Sequence, residues 1–313
     1  MKKSFIPVLT GLLLSCVILK ANAQESKEQS KAAAKQEARR IRFKEKYPEE
    51  YKDQSSKTFN ISKNALSALL IYNVNGSIKV QGYAGDKILM EIDETISAPD
   101  LKTLDIAKKE FKLGFDEKPD SIIAFVAAPY DSRPHHDWYY NDNDRKELDY
   151  RAQVNYSIKV PYDLSLHIST VNDGIITVND VSGALHVNNV NDGIVITNAK
   201  GTTYAHTVNG DVRINYVSNP TEQSSYNTVN GDIKVSYQPS LSADMQFKTM
   251  NGDFYTDFSE VQILPVTATK DQNTEGSGTI YKISKGKTIR FGKGGTTFKF
   301  GTLNGSVYIK KQS

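Results

Sequence analysis

The chain has one cysteine among 313 residues, which excludes a disulfide framework and any site built from several thiolates. Long apolar runs are scarce. After Phe5 to Leu19, no stretch approaches the roughly 18 to 20 apolar residues that cross a bilayer, so no transmembrane span is expected in the mature chain. Excess charge is scarce too: the formal net charge of +3 includes Lys2, Lys3 and Lys20, and without them 36 basic residues face 36 acidic ones. Such a balance lacks the basic footprint of a nucleic-acid binder, and no nucleic-acid partner is expected. Enzyme motifs are missing as well, with no Gly-x-Ser-x-Gly elbow, no His-Glu-x-x-His pair and no phosphate loop. Gly292-Lys293-Gly294-Gly295 is too short for a Walker loop and reads as a hairpin turn. Tandem Gly-Gly-x-Gly-x-Asp repeats are absent, so calcium is not expected, and nothing calls for another cofactor.

What the chain has in abundance is one phrase, an apolar residue followed by Asn and then Gly or Asp-Gly, which occurs seven times. The copies are Val74-Asn75-Gly76, Val171-Asn172-Asp173-Gly174, Val190-Asn191-Asp192-Gly193, Val208-Asn209-Gly210, Val229-Asn230-Gly231, Met250-Asn251-Gly252 and Leu303-Asn304-Gly305. Between Asn172 and Asn251 the steps are 19, 18, 21 and 21 residues. A fixed period of this size marks a repeat architecture, in which one unit buries its apolar face only by stacking on the next.

After each phrase the apolar residues alternate, as at Ile78/Val80, Val212/Ile214, Ile233/Val235 and Val307/Ile309, which is strand periodicity. Gly and Asn supply the corners. The expected fold is therefore all-β, a single-stranded parallel β-solenoid or β-helix with coils of about 18 to 21 residues. In such a stack, the amides of Asn75, Asn172, Asn191, Asn209, Asn230, Asn251 and Asn304 are expected to hydrogen-bond as a ladder. Gly76, Gly174, Gly193, Gly210, Gly231, Gly252 and Gly305 are expected to turn the corners.

The phrases Thr207-Val208-Asn209-Gly210-Asp211-Val212 and Thr228-Val229-Asn230-Gly231-Asp232-Ile233 carry a resemblance. With the run from Val154 to Phe258 and the closing Thr302-Leu303-Asn304-Gly305-Ser306-Val307, they resemble the bacterial putative-adhesin family, a domain of unknown function built on Thr-Val-Asn-Gly-Asp-Ile repeats. The resemblance covers about two-thirds of the chain and implies the β-solenoid and an adhesin-like role. It implies no catalytic residues. The 53-residue step from Asn251 to Asn304 departs from the family's regular period.

Four segments follow from composition. Residues 1–23 read as a signal peptide, with Lys2 and Lys3 before the apolar run and Ala21-Asn22-Ala23 as the cleavage signal. Leu13-Leu14-Ser15-Cys16 also resembles a lipoprotein box, but the apolar Val17-Ile18-Leu19 after it favours cleavage after Ala23. Residues 24–57 read as a charged helical or disordered spacer whose helix-prone part ends near Pro48, residues 58–160 as an irregular N-terminal part of the solenoid with an insertion at 129–150, and residues 161–313 as the regular repeats with the C-terminal strands. The expected location is outside the cytoplasm: periplasm, outer-membrane surface or medium.

Two groups are candidates for surface binding. Trp138, Tyr139 and Tyr140 in the insertion are ring systems of the kind that stack on sugars or on partner apolar surfaces, beside His135 and His136, whose spacing does not suit a metal. His167 and His186 each lie four residues before the Val of a phrase, which places them outward on adjacent strands about 4.8 Å apart, with His206 on the same face at the level of Asn188. Such a ladder is open to a metal, to pH sensing or to simple solvation. No metal site is assigned. The expected function is a non-enzymatic envelope protein that presents a repetitive surface to a glycan, an envelope protein or another copy of itself. A periplasmic self-assembling scaffold is the alternative, and a β-helix enzyme acting on polysaccharide a more remote one.

Overall fold

Alternating apolar residues decide which side of each strand faces inward. In the computed structural model, which describes residues 37–38, 41–61, 68–134, 148–265, 268–271, 280–283 and 287–312, these residues form one buried core between two large sheets. The proposed signal peptide with Cys16, and His135, His136, Trp138, Tyr139 and Tyr140, lie outside the described residues.

The first sheet has ten strands in the order Glu49–Asn60, Lys87–Ala98, Arg151–Pro161, Ile78–Tyr83, Ile176–Asn179, Ile194–Ala199, Val212–Tyr216, Ile233–Tyr237, Val307–Lys311 and Phe254–Thr256. The second has eleven, in the order Val261–Leu264, Lys287–Phe291, Ala243–Lys248, Thr297–Gly301, Ser225–Asn227, Thr203–His206, Leu185–Asn188, Ser165–Ser169, Ala68–Tyr72, Ser121–Ala128 and Lys112–Glu117. Ala268–Asp271 and Ile280–Ile283 form a separate antiparallel pair.

Both large sheets are mixed, which overturns the single-stranded parallel β-solenoid expected from the repeats. Pairing is parallel through the middle of each sheet, where the phrases recur. At one end, Glu49–Asn60 runs antiparallel to Lys87–Ala98, which runs antiparallel to Arg151–Pro161, and Lys112–Glu117 runs antiparallel to Ser121–Ala128. At the other, Lys287–Phe291 is antiparallel to both Ala243–Lys248 and Val261–Leu264. Only Lys112–Glu117 and Ser121–Ala128 are joined by a short turn, as an antiparallel connection allows; the other antiparallel partners are brought together across intervening strands, so the ends of the sheets are set by long-range pairing rather than by the repeat.

The long step to Asn304 has a specific structural meaning. The last strand, Val307–Lys311, lies between Ile233–Tyr237 and Phe254–Thr256, and Thr297–Gly301 lies between Ser225–Asn227 and Ala243–Lys248. The seventh phrase is thus inserted between the fifth and the sixth. At the other end, Ala68–Tyr72 pairs with Ser165–Ser169, and Ile78–Tyr83 with Ile176–Asn179, so the first phrase stacks directly on the second across 97 residues of sequence.

The spacer expected over 24–57 ends differently. Residues 41–46 are helical before Pro48, and the strand Glu49–Asn60 begins inside the segment. The ambiguous stretch after it resolves as the helix Leu101–Glu110, whose first turn is capped by the Asp100 carboxylate accepting from the Thr103 amide at 2.7 Å. Leu104 and Ala107 are buried, and the helix packs on Lys87–Ala98 and Glu49–Asn60.

Between the sheets sit Ile78, Ile176, Ile194, Val212 and Ile233 from one side and Leu69, Leu166, Leu185 and Val187 from the other, all with no exposed surface. Towards the C-terminal end the fillers become aromatic. The hydroxyls of Tyr216 and Tyr237 in the first sheet meet that of Tyr226 in the second at 2.9 and 3.1 Å, with Phe298 stacked on Tyr237 and Phe300 tilted against Tyr226. Each of these three hydroxyls has a partner, as a dry core requires. Burial pushes all three phenols well above their ordinary range, so they stay neutral at any physiological pH.

Candidate functional site

The repeated Asn residues form a continuous amide ladder at the corners of the two sheets. Each Nδ2 donates to the Oδ1 of the next: Asn172 to Asn75 at 3.1 Å, Asn191 to Asn172 at 2.7 Å, Asn209 to Asn191 at 3.0 Å, Asn230 to Asn209 at 2.8 Å, Asn304 to Asn230 at 2.7 Å and Asn251 to Asn304 at 2.8 Å. Asn75 ends the row by donating to the Ala152 carbonyl at 2.9 Å. The amides are therefore engaged with one another rather than offered to a ligand.

The glycines beside them allow close stacking. A Cβ on Gly231 would lie 2.2 Å from the Gly210 carbonyl oxygen, a distance no side chain tolerates. Gly76 also takes a positive φ of 118°, which disfavours any residue with a Cβ. Gly174, Gly193, Gly210, Gly252 and Gly305 occupy the equivalent corners, each with backbone from a neighbouring corner close by.

A second polar row, buried except at the half-buried Thr249, was missed from the sequence. It lies two positions before each Asn, at Asn73, Thr170, Asn189, Thr207, Thr228, Thr249 and Thr302. Thr228 Oγ1 donates to the Gly210 carbonyl at 2.8 Å, Thr207 to Asp192 at 2.7 Å, Thr170 to Gly76 at 2.9 Å and Thr302 to Gly231 at 3.1 Å. The recurrent Thr in Thr-Val-Asn-Gly was its signal.

The outer face of the second sheet carries a row of rings. Register pairs Leu166 with Leu185 and His167 with His186, and then His186 with Tyr204. The two imidazoles stack at 4.3 Å with planes 6° apart, and His186 stacks on the Tyr204 ring at 4.6 Å. His206 is exposed and lies in register with Asn188, two residues along the strand from this row and on the same face. Burial holds the His167 imidazole below its ordinary range, and His186 is lowered by burial and then by the charge of His167. Lone pairs lie in the imidazole planes, so near-parallel stacked rings do not converge on one ion between them. Among the described residues, no group of three or more His, Cys, Asp or Glu side chains is placed to hold a metal.

A shallow pocket of about 390 Å³ adjoins the row, lined by Tyr72, Ser132, Pro134, His167, Ser169 and Asn188. Its wall is fixed by Ser132, whose Oγ donates to the Tyr72 carbonyl at 2.6 Å and accepts from the Val126 amide at 2.9 Å. Nearby, Arg133 lies 3.8 Å over the Phe125 ring and is held by Asp131 and Asp116. Tyr204 was missed from the sequence, since it precedes the fourth phrase by four residues, the spacing of His167 and His186, but is not a histidine.

Among the described residues no helix is long and apolar enough to cross a membrane. No family model matches the chain, and no curated protein matches it. Solved structures do resemble it. A putative cell adhesion protein from Clostridium sporogenes aligns with a TM-score of 0.40 at 12% identity over 83% of this chain and 100% of its own. A putative adhesin from Bacteroides fragilis aligns with a TM-score of 0.31 at 11% identity, over 83% of this chain and 97% of its own. A putative lipid binding protein from Parabacteroides distasonis aligns with a TM-score of 0.27 at 9% identity over the same shares.

Proposed function

We propose that the chain is an exported, non-enzymatic binding protein of the bacterial cell envelope, adhesin-like in its mode of action, with the outer face of the second sheet as its contact surface. The observation that supports this reading most is the stacked row His167, His186 and Tyr204 beside a polar pocket. Because the rings stack on one another, they turn their edges to solvent. A neutral imidazole edge offers one donor and one acceptor, and the Tyr204 phenol offers both. Ser169, Asn188 and Ser132 add more of the same chemistry. A row of paired donors and acceptors repeating at strand spacing suits the hydroxyls of a glycan better than an apolar partner. Ordering such a surface costs little on binding, since the sheet already holds the rings in place.

The location half of the proposal is tested by protease digestion of an epitope-tagged copy on intact cells, with permeabilised cells as control. Digestion on intact cells is expected. Protection until permeabilisation would remove the adhesin-like role and leave a periplasmic one.

A second reading, self-assembly as a periplasmic scaffold, draws on one feature. The outermost strands at the C-terminal end, Phe254–Thr256 and Val261–Leu264, are edges of the two sheets, and Met250 and Ile263 near them are 76% and 73% exposed. Open edges and exposed apolar side chains favour association. Light scattering decides between the two: a monomer at all concentrations and salt levels rules out the scaffold.

A further inference from the structure

The outer face of the first sheet differs in chemistry from the ring row on the second. Cross-strand register sets Lys79, Thr177, Val195, Arg213, Lys234 and Tyr308 in one row across the parallel strands. Tyr255 extends it onto the edge strand, stacked on Tyr308 at 5.0 Å, and Lys234 Nζ lies 5.2 Å from the Tyr308 ring. The adjacent outward positions are Lys159, Gln81 and Asn179 at one end and Asn215, Ser236 and Lys310 at the other. These positions include cations and no carboxylate; beyond Lys79 the same row continues through Ser157 to Glu91, where the first carboxylate stands.

Carboxylates border the face, and most are already engaged. Asp211 holds Arg213 at 2.6 Å, Asp232 holds Lys234 at 3.0 Å, and Asp180 accepts from Gln81 at 2.7 Å and from Asn198 at 2.8 Å. Lys79, Lys159 and Lys310 have no ion-pair partner among the described residues. Lys79 and Lys159 line a groove of about 310 Å³ whose polar lining also includes Gln81, Ser157, Asn179 and one acid, Glu91, in register with Ser157. The bond to Asp180 fixes the Gln81 amide in the groove wall.

We propose that this face binds a linear acidic polysaccharide, a chain bearing sugar carboxylates, laid across the strands. Strands about 4.8 Å apart repeat at nearly the advance of one sugar unit along an extended chain, so successive units meet successive strands. Sugar carboxylates meet the ammonium groups of Lys79, Lys159 and Lys310. Hydroxyls meet the amides and hydroxyls between them, and the open outer side of the Tyr255 ring receives a sugar face at the edge. Each exposed ammonium–carboxylate contact is weak and screened by salt, so affinity comes from their number. This inference is independent of the ring row, which lies on the other sheet.

The test is binding of the full mature chain to immobilised polygalacturonate at low salt, with dextran and phosphatidylglycerol vesicles as comparison surfaces. The wild type is expected to bind polygalacturonate, release it as salt rises, and leave dextran and vesicles unbound. Lys79→Gln, Lys159→Gln and Lys310→Gln combined is expected to weaken binding about tenfold, given the modest worth of each exposed contact. Lys→Arg at the same positions is expected to keep it, and His167→Ala with His186→Ala is expected to leave it unchanged. The proposal is overturned by no binding to polygalacturonate, by equal binding of the Lys→Gln variant, or by preference for dextran or vesicles. A loss confined to the histidine variant would overturn it too while favouring the second-sheet surface.

Discussion

Thr228 and Asn230 stand two residues apart and satisfy different parts of the same corner. The threonine hydroxyl reaches inward to the Gly210 carbonyl, while the asparagine amide reaches along the outside to Asn209. Thr228→Val keeps the volume and strands a buried carbonyl, so it is expected to cost about 1 to 3 kcal/mol, whereas Asn230→Ala at an exposed rung is expected to cost nearer 1 kcal/mol. Urea unfolding of both variants checks the order, and a larger loss for Asn230→Ala would show the outer ladder to be the stronger one. Gly231→Ala forces a Cβ against Gly210 backbone and is expected to destabilise by about 1 to 3 kcal/mol in the same assay. The histidine pair adds a pH dependence. Folding depresses both imidazoles, so their contribution to stability is present above the unfolded value of about 6.5 and is lost as pH falls through the lower folded values. The melting temperature is expected to fall between pH 7 and pH 5, and His167→Gln with His186→Gln is expected to flatten that slope.

At the scale of elements, the final strand is the least replaceable. Val307–Lys311 bridges Ile233–Tyr237 and Phe254–Thr256, and Thr297–Gly301 bridges the matching strands of the other sheet. Removing residues 296–313 therefore takes out the middle of the C-terminal region rather than a tail. Loss of a single cooperative transition is expected on heating; a truncated chain that melts as one unit at the wild-type temperature would contradict this topology. Alternation made the individual strands legible, because Val212/Ile214 or Ile233/Val235 have only one way to point inward. Their order was not legible. Every phrase has the same chemistry, so nothing in Leu303-Asn304-Gly305 says that it enters between Asn230 and Asn251. Nor does Glu49–Asn60 look like a strand: Phe59 is its one buried residue, and pairing with Lys87–Ala98 makes it one. The antiparallel ends that overturn the solenoid are set by such tertiary pairing, which overrides local pattern.

For the molecule as a whole, two sheets back to back leave two outer faces of different character. One has stacked rings and a polar pocket; the other has lysines, amides and a tyrosine edge. The outward placement of His167 and His186 was readable from Leu166/Ile168 and Leu185/Val187, but Tyr204 and the row from Lys79 to Tyr308 required knowledge of which strands are neighbours. The measurement that bears most directly on the account is binding of the purified mature chain to an array of glycans, wild type against His167→Ala, His186→Ala and Tyr204→Ala combined. The account predicts that the wild type binds a set of neutral glycans, and that the variant keeps its melting temperature near neutral pH but loses that set. Unchanged binding by the variant, or no glycan bound by the wild type, would contradict it.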